Sequence, residues 1–116
     1  YLTVISKEPV VVRRALEMDG HRISIAADGA EAMDVLTDNG GAFDLLLTDI
    51  KMPLMDGIAL ALAAARDFPA LKIMLMTGFA DQRERARNLD ALVRDVLVKP
   101  FPLSDLRERV KAVLTG

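Results

Sequence analysis

The sequence predicts an α/β domain built on a five-stranded parallel sheet with helices on both faces. Three observations lead to this fold class. Short apolar runs alternate with longer amphipathic segments, which is the rhythm of strand–helix units. The run over 43–48 is apolar enough for a central strand that helices cover on both sides. Strands and helices follow one another in strict alternation, which implies a doubly wound sheet.

Each predicted strand is an apolar run bounded by turn residues. In order, the five strands cover residues 1–6, 21–26, 43–48, 72–76 and 95–98. The second run alternates polar and apolar residues, so we expect it to be half buried. The other runs lack that alternation, which favours burial inside the sheet.

The predicted helices are recognised from their start signals. In order, they cover residues 9–20, 28–36, 58–68, 80–93 and 104 onward. Pro9 suits a first helical turn, and Asp28 with Glu31 three residues later resembles a capping box. Asp56 and Ser104 are natural N-caps. The helix over 80–93 has the weakest apolar face, so we expect low local stability there.

Composition restricts the function classes. At 116 residues the chain predicts one domain over 1–116. A formal net charge of −2 argues against direct contact with nucleic acid. No apolar run approaches the ~20 residues that span a bilayer, and the absence of cysteine excludes disulfides and thiolate metal sites. We expect a cytoplasmic domain that contacts neither nucleic acid nor membrane.

Polar side chains stand where four of the predicted strands end. They are Ser6 and Lys7 at the end of the first strand, Asp49 after the third, Thr77 after the fourth and Lys99 after the fifth. The carboxyl ends of parallel strands meet at one edge of a sheet, and ligands of doubly wound sheets bind there. The sequence therefore predicts a site at this edge.

The stretches LLLTDIKMPLMDG, LMTGFA and VLVKPF, in this order and spacing, resemble response-regulator receiver domains of the CheY-like type. The resemblance covers essentially the whole chain and implies a flavodoxin-like sheet of strand order 2-1-3-4-5. It implies a phosphoacceptor protein of two-component phosphorelay signalling rather than an enzyme. Its partner would be a histidine kinase or a histidine phosphotransfer protein. The Thr-Gly-Phe stretch and the long third strand are similar to stand-alone receivers of the CpdR type.

The resemblance also implies roles for single residues. Asp49 would be the phosphoacceptor, Thr77 the switch hydroxyl and Lys99 the cation that pairs with phosphate. Asp49 and the backbone carbonyl of Lys51 would help to hold Mg²⁺. A downstream partner or a second copy would dock on the surface of the fourth predicted helix, the fifth strand and the last helix. These roles suit the chemistry, because a carboxylate nucleophile needs its charge offset before an anionic phosphoryl group approaches.

The sequence departs from the receiver pattern at the end of the first strand. Ser6 and Lys7 stand where receivers carry two acidic residues that bind Mg²⁺. The charges of Asp49, Lys7 and Lys99 sum to +1, and to about zero if Asp49 carries a phosphoryl group of about −2. Our hypothesis is that Lys7 substitutes electrostatically for the metal. Glu8 is an alternative late metal ligand.

Two functions therefore stay open at this point. One is a receiver that accepts phosphate on Asp49, and the other is a degenerate receiver that binds partners constitutively. Val96, three residues before Lys99 where many receivers carry an aromatic residue, favours the second. A flavodoxin-like cofactor binder is disfavoured, because no Gly-rich phosphate loop follows the first strand.

Overall fold

A single parallel sheet organises the chain. The computed structural model describes residues 2–5, 9–38, 43–50, 56–78, 93–99 and 101–115. The strands are β1 (Leu2–Ile5), β2 (Ile23–Ile25), β3 (Leu45–Asp49), β4 (Lys72–Thr77) and β5 (Asp95–Val98). All neighbouring pairs are parallel, and the order is β2-β1-β3-β4-β5. The predicted sheet and its strand order are confirmed.

Four helices lie within the described ranges. They are α1 (Pro9–Glu17), α2 (Gly29–Asp38), α3 (Gly57–Asp67) and α4 (Leu103–Thr115). Helix α4 is the fifth helix that the sequence predicts. The predicted helix over 80–93 lies outside the described residues except for Val93, which is buried just before β5.

Helices cover both faces of the sheet, as the apolar third strand predicts. Leu45 and Leu47 of β3 pack in one cluster with side chains of α1 and α4, among them Leu16 and Leu106. Leu46 points to the opposite face, where it packs with side chains of α2 and α3. All three β3 leucines are 0% exposed. This double cover holds the end of β3 at a fixed position, which matters for Asp49.

Aspartate side chains cap the N-termini of two helices. Asp28 Oδ1 accepts a hydrogen bond from Glu31 N at 2.9 Å, and Glu31 Oε2 accepts one from Ala27 N at 3.2 Å. This confirms a capping box at α2, with the return bond displaced by one residue. Asp56 Oδ1 accepts a bond from Ala59 N at 2.8 Å and so caps α3 as predicted.

The prediction that Ser104 is the N-cap of the last helix is wrong. Helix α4 begins at Leu103, and the carbonyl of Pro102 accepts hydrogen bonds from Asp105 N at 3.0 Å and Leu106 N at 3.3 Å. Pro102 therefore occupies the capping position, and Ser104 lies inside the first turn.

At the other end of the chain, α1 ends before Gly20, whose φ of 84° is a left-handed conformation that suits glycine.

No helix in the described part of the chain is long and apolar enough to cross a membrane.

Candidate functional site

Asp49 lies at the carboxyl end of the central strand. It is the last residue of β3, follows fully buried leucines and is itself only 4% exposed. The ladder between β3 and β4 continues past it, because Ile50 N donates to Met76 O at 3.0 Å. The backbone on both sides of Asp49 is thus held in the sheet, and its carboxylate has a defined position.

Lys99 provides the cation at this edge. It follows β5 directly, and its Nζ forms an ion pair with Asp49 Oδ1. Its backbone N–H donates to Thr77 O at 2.7 Å, which extends the β4–β5 ladder beyond the strands. The Lys99 side chain is 36% exposed, whereas that of Asp49 is 5% exposed. A partly exposed lysine side chain therefore reaches inward to a nearly buried carboxylate.

Thr77 lies on the strand between these two residues. It ends β4 and is 3% exposed. Asp49 is in register with Met76, so Thr77 stands one step further along the neighbouring strand. Asp49, Thr77 and Lys99 thus come to one edge of the sheet, as the strand ends predict, and their individual roles stay predictions.

Other residues named from the sequence divide into two groups. Val96 is half buried and packs against the cluster that α2 and α3 form on the sheet. The remaining positions lie outside the described residues; they are Ser6, Lys7, Glu8 and Lys51.

The structure adds two residues that sequence reasoning missed. Gly57, the first residue of α3, lies directly against the backbone of Asp49, and its N–H donates to Ile50 O at 2.6 Å. Thr48 is fully buried, and its hydroxyl donates to the carbonyl of Asp49 at 3.0 Å. In the sequence, Gly57 ends the stretch LLLTDIKMPLMDG and follows the capping Asp56, which indicated a helix start but no contact with Asp49.

Of the predicted Mg²⁺ ligands, Asp49 is the one that lies within the described residues. Receiver domains typically use this ion, which binds oxygen ligands and commonly one or two carboxylates. Among the described residues no cluster of three or more His, Cys, Asp or Glu side chains could hold a metal ion. Asp49 is the carboxylate that the described residues bring to this edge, and it is already paired with Lys99. The sequence adds Lys7 at a position where receivers carry an acid.

A second ion pair lies away from this edge. Arg107 of α4 donates two hydrogen bonds to Asp19, from Nε to Oδ2 at 3.1 Å and from Nη2 to Oδ1 at 2.6 Å. These bonds hold the pKa of the Asp19 carboxyl below its ordinary value. The pair joins the turn after α1 to the last helix and does not contribute to the site.

The order of this parallel sheet and the ion pair between Asp49 and Lys99 at its carboxyl edge agree with the receiver domain that the sequence motifs predict. The chain belongs to the response regulator receiver domain family, which matches residues 9–111. Members of this family are phosphoacceptor signalling modules rather than enzymes in the usual sense. The family match begins after Ser6, Lys7 and Glu8. The positions at which the sequence departs from the receiver pattern therefore lie outside the matched residues.

Relatives and solved structures agree with this assignment. The chain is 34% identical over 103 residues to the response regulator MprA of Mycobacterium sp. (strain KMS), covering 89% of the chain and 44% of that relative. It is 36% identical over 102 residues to the sensor kinase CckA of Brucella abortus (strain 2308), covering 87% of the chain and 11% of that relative. The chain thus spans less than half the length of these curated relatives.

Among solved structures, a CheY-like receiver domain protein from Methanospirillum hungatei JF-1 superposes with a TM-score of 0.87 at 27% identity, covering 98% of this chain and 92% of that one. The similarity to CpdR-type receivers stays a prediction.

Proposed function

We propose that this chain is a phosphorelay receiver that accepts a phosphoryl group on Asp49. The observation that carries the proposal is the ion pair between the nearly buried Asp49 carboxylate and Lys99 at the carboxyl edge of the sheet. A carboxylate this well buried is rare unless it is paired, and a pair at the edge where such sheets bind ligands favours chemistry over packing.

The proposed step is a phosphoryl transfer from a phosphohistidine. A carboxylate oxygen of Asp49 attacks phosphorus and forms a P–O bond, and the P–N bond to the donor imidazole breaks. The electron pair returns to the imidazole nitrogen, which takes up a proton. Asp49 becomes an acyl phosphate. Such a reaction requires mainly positioning and charge stabilisation.

Lys99 and Thr77 have distinct parts in this proposal. The Lys99 ammonium offsets the charge of the carboxylate before the reaction and pairs with the phosphoryl oxygens afterwards, as a lysine does in phosphate sites. Thr77 donates its hydroxyl to the new oxygens, and its movement reports the phosphorylated state. Its burial at the end of β4, one step from the register of Asp49, supports this part.

In the proposal, Lys7 sets this chain apart from the receiver pattern, which has an acid at that position. The ammonium of Lys7 then offsets the negative charge of Asp49 and of the incoming phosphoryl group, which Mg²⁺ would otherwise offset. A lysine neutralises charge but cannot coordinate oxygens in line as a metal does. We therefore expect phosphorylation that is slow and independent of Mg²⁺.

The second candidate is a receiver that signals by binding alone. Lys7 at the expected acidic position and Val96 at the usual aromatic position support it, because both replace residues that a phosphorylation switch uses in receivers. Its partner surface would include the groove of about 240 Å³ between β5 and α4, which Val98, Phe101 and Arg109 help to line. The donor kinase or phosphotransfer protein, a downstream partner and a second copy are all candidates for docking.

The test is the intact mass of the protein after incubation with acetyl phosphate, with and without Mg²⁺. We expect one phosphoryl adduct that is absent in Asp49→Ala. Asp34→Ala is the matched control, because it removes an exposed carboxylate on α2, and it should retain the adduct.

The outcomes separate the candidates. An adduct without Mg²⁺ supports the proposal as stated. An adduct that requires Mg²⁺ keeps Asp49 as phosphoacceptor and contradicts the substitution by Lys7. No adduct under any condition refutes phosphorylation and leaves the binding-only receiver.

A further inference from the structure

The start of α3 lies unusually close to the backbone of the proposed phosphoacceptor. A Cβ atom added at Gly57 would overlap the carbonyl oxygen of Asp49. It would also fall 2.8 Å from the carbonyl carbon of Asp49 and 2.8 Å from Cα of Ile50. Contacts this short are incompatible with a side chain, and they involve backbone atoms that cannot rotate away. Gly57 is thus the residue that allows α3 to close against the end of β3.

This contact is not explained by the backbone conformation of Gly57. The residue is helical, at the first position of α3. Glycine is ordinarily a poor choice in a helix, where alanine is more favourable. The close approach to Asp49 is therefore the physical reason for glycine at this position.

Two hydrogen bonds fix the same short stretch of backbone. Gly57 N–H donates to the carbonyl of Ile50 at 2.6 Å, which joins the start of α3 to the residue after Asp49. The buried Thr48 hydroxyl donates to the Asp49 carbonyl at 3.0 Å. The Asp49 peptide is thus held by Thr48 and by the surface of Gly57. A shift of this peptide moves the carboxylate relative to Lys99.

We propose that Gly57 is a positioning residue for Asp49, and that the hydroxyl of Thr48 assists it. The absent side chain of Gly57 sets where the Asp49 carboxylate lies relative to the Lys99 ammonium. The inference rests on the proposed role of Asp49 as phosphoacceptor, and it adds the residue that holds this nucleophile in reactive geometry.

The test compares Gly57→Ala with Gly78→Ala. Gly78 lies on the other side of the site, and among the described residues the nearest atom to an added Cβ is Lys99 Cβ at 4.0 Å. The two variants add the same methyl group. In Gly57→Ala it overlaps the backbone of Asp49, and in Gly78→Ala it lies at an ordinary contact distance from Lys99. The first readout is the ¹³Cγ resonance of Asp49, with Lys99→Met defining its value without the ammonium partner. The second readout is the rate of phosphorylation by acetyl phosphate.

We expect Gly57→Ala to move the Asp49 resonance toward its value in Lys99→Met and to slow phosphorylation at least about tenfold, since a 1 Å misplacement can cost about 100-fold. Gly78→Ala should match the wild type in both readouts. A folded Gly57→Ala with an unchanged resonance and rate would overturn the proposal. If the wild type takes up no phosphate, the proposed function fails, while the resonance still decides the positioning role.

A second variant covers the case in which Gly57→Ala does not fold. Thr48→Val removes the hydrogen bond to the Asp49 carbonyl and keeps the side-chain shape. We expect a smaller displacement of the Asp49 resonance in the same direction. A resonance and a rate that both equal those of the wild type in Thr48→Val would then overturn the proposal.

Discussion

The ion pair between Asp49 and Lys99 makes a quantitative prediction about stability. Lys99→Met removes the ammonium from a carboxylate that is only 4% exposed. Two unit charges about 4 Å apart interact by roughly 4 kcal/mol at an effective dielectric constant near 20. Removing one partner of a fully buried pair costs about 3–5 kcal/mol, and an exposed pair contributes about 0–1 kcal/mol.

The exposure of Lys99 places this pair between those limits. Its side chain is 36% exposed, so solvent screens part of the interaction. We therefore expect Lys99→Met to lower the free energy of unfolding by about 2 kcal/mol at neutral pH. For a domain of this size that corresponds to a melting temperature lower by roughly 6–12 °C.

The assay is a double-mutant cycle measured by urea unfolding. It compares the wild type, Lys99→Met, Asp49→Asn and the double variant. Asp49→Asn should cost little, because Lys99 can turn toward water when the carboxylate is gone. The double variant should then resemble Asp49→Asn, which gives a coupling energy of about 2 kcal/mol.

Salt provides the control for this cycle. A partly buried pair is screened less than an exposed one, so the coupling should persist at high ionic strength. The Asp19–Arg107 pair, whose carboxylate is more exposed than that of Asp49, should lose more of its coupling under the same conditions. Additive effects of Lys99→Met and Asp49→Asn, with a coupling energy below about 0.5 kcal/mol, would show that Lys99 stabilises the fold no more than a surface ion pair does.

Three further predictions concern a cap, an exposed ion pair and the departure at the first strand. Asp56→Ala removes the side-chain cap of α3 and should cost about 1 kcal/mol of stability in urea unfolding. The pKa of Asp19 is depressed in the folded state by Arg107. The Asp19–Arg107 ion pair therefore adds to the free energy of unfolding at any pH above the ordinary carboxyl pKa. This addition is lost as the pH falls through the depressed pKa of Asp19. The stability difference between wild type and Asp19→Asn should shrink on acidification. Ser6→Asp combined with Lys7→Asp should create Mg²⁺ binding that calorimetry detects.

Each of these three predictions would be contradicted by one specific result. An Asp56→Ala variant as stable as the wild type would show that the cap at Asp56 adds nothing beyond helix packing. An Asp19→Asn difference that stays constant from neutral to acidic pH would exclude the pairing with Arg107 as its cause. A double variant of Ser6 and Lys7 that binds no Mg²⁺ would mean that these residues do not align with the acidic pair of receivers.

The fold was predictable because it depends on patterns that are local in the sequence. Apolar runs give the strands, and the need to bury both faces of β3 requires helices on each side. The edge where Asp49 and Lys99 meet followed from the same reasoning, since the carboxyl ends of parallel strands coincide. The caps at Asp28 and Asp56 followed from the spacing of short polar side chains.

Contacts between backbone segments were not predictable in this way. The close approach of Gly57 to the backbone of Asp49 is a contact between two elements of the fold, and glycine at a helix start carries no information about such a contact. The start of α4 was misplaced for a related reason. Ser104 has the better capping side chain, but the carbonyl of Pro102 already accepts the first bonds of the helix.

The strength of the Asp49–Lys99 pair separates the two functions more directly than any single residue does. A carboxylate must leave part of its ion pair to attack phosphorus, so a strong pair raises the barrier to phosphorylation. The same pair stabilises one conformation of the edge, which is what a receiver that only binds requires. Phosphorylation adds negative charge near Lys99 and, in the proposal, near Lys7, and so it should strengthen the attraction to both cations.

A modest coupling energy between Asp49 and Lys99 in the unmodified protein, together with a higher melting temperature after acetyl phosphate treatment, therefore argues for a working phosphoacceptor. A coupling much larger than about 2 kcal/mol, with no adduct, argues for an edge that the ion pair holds permanently in one state.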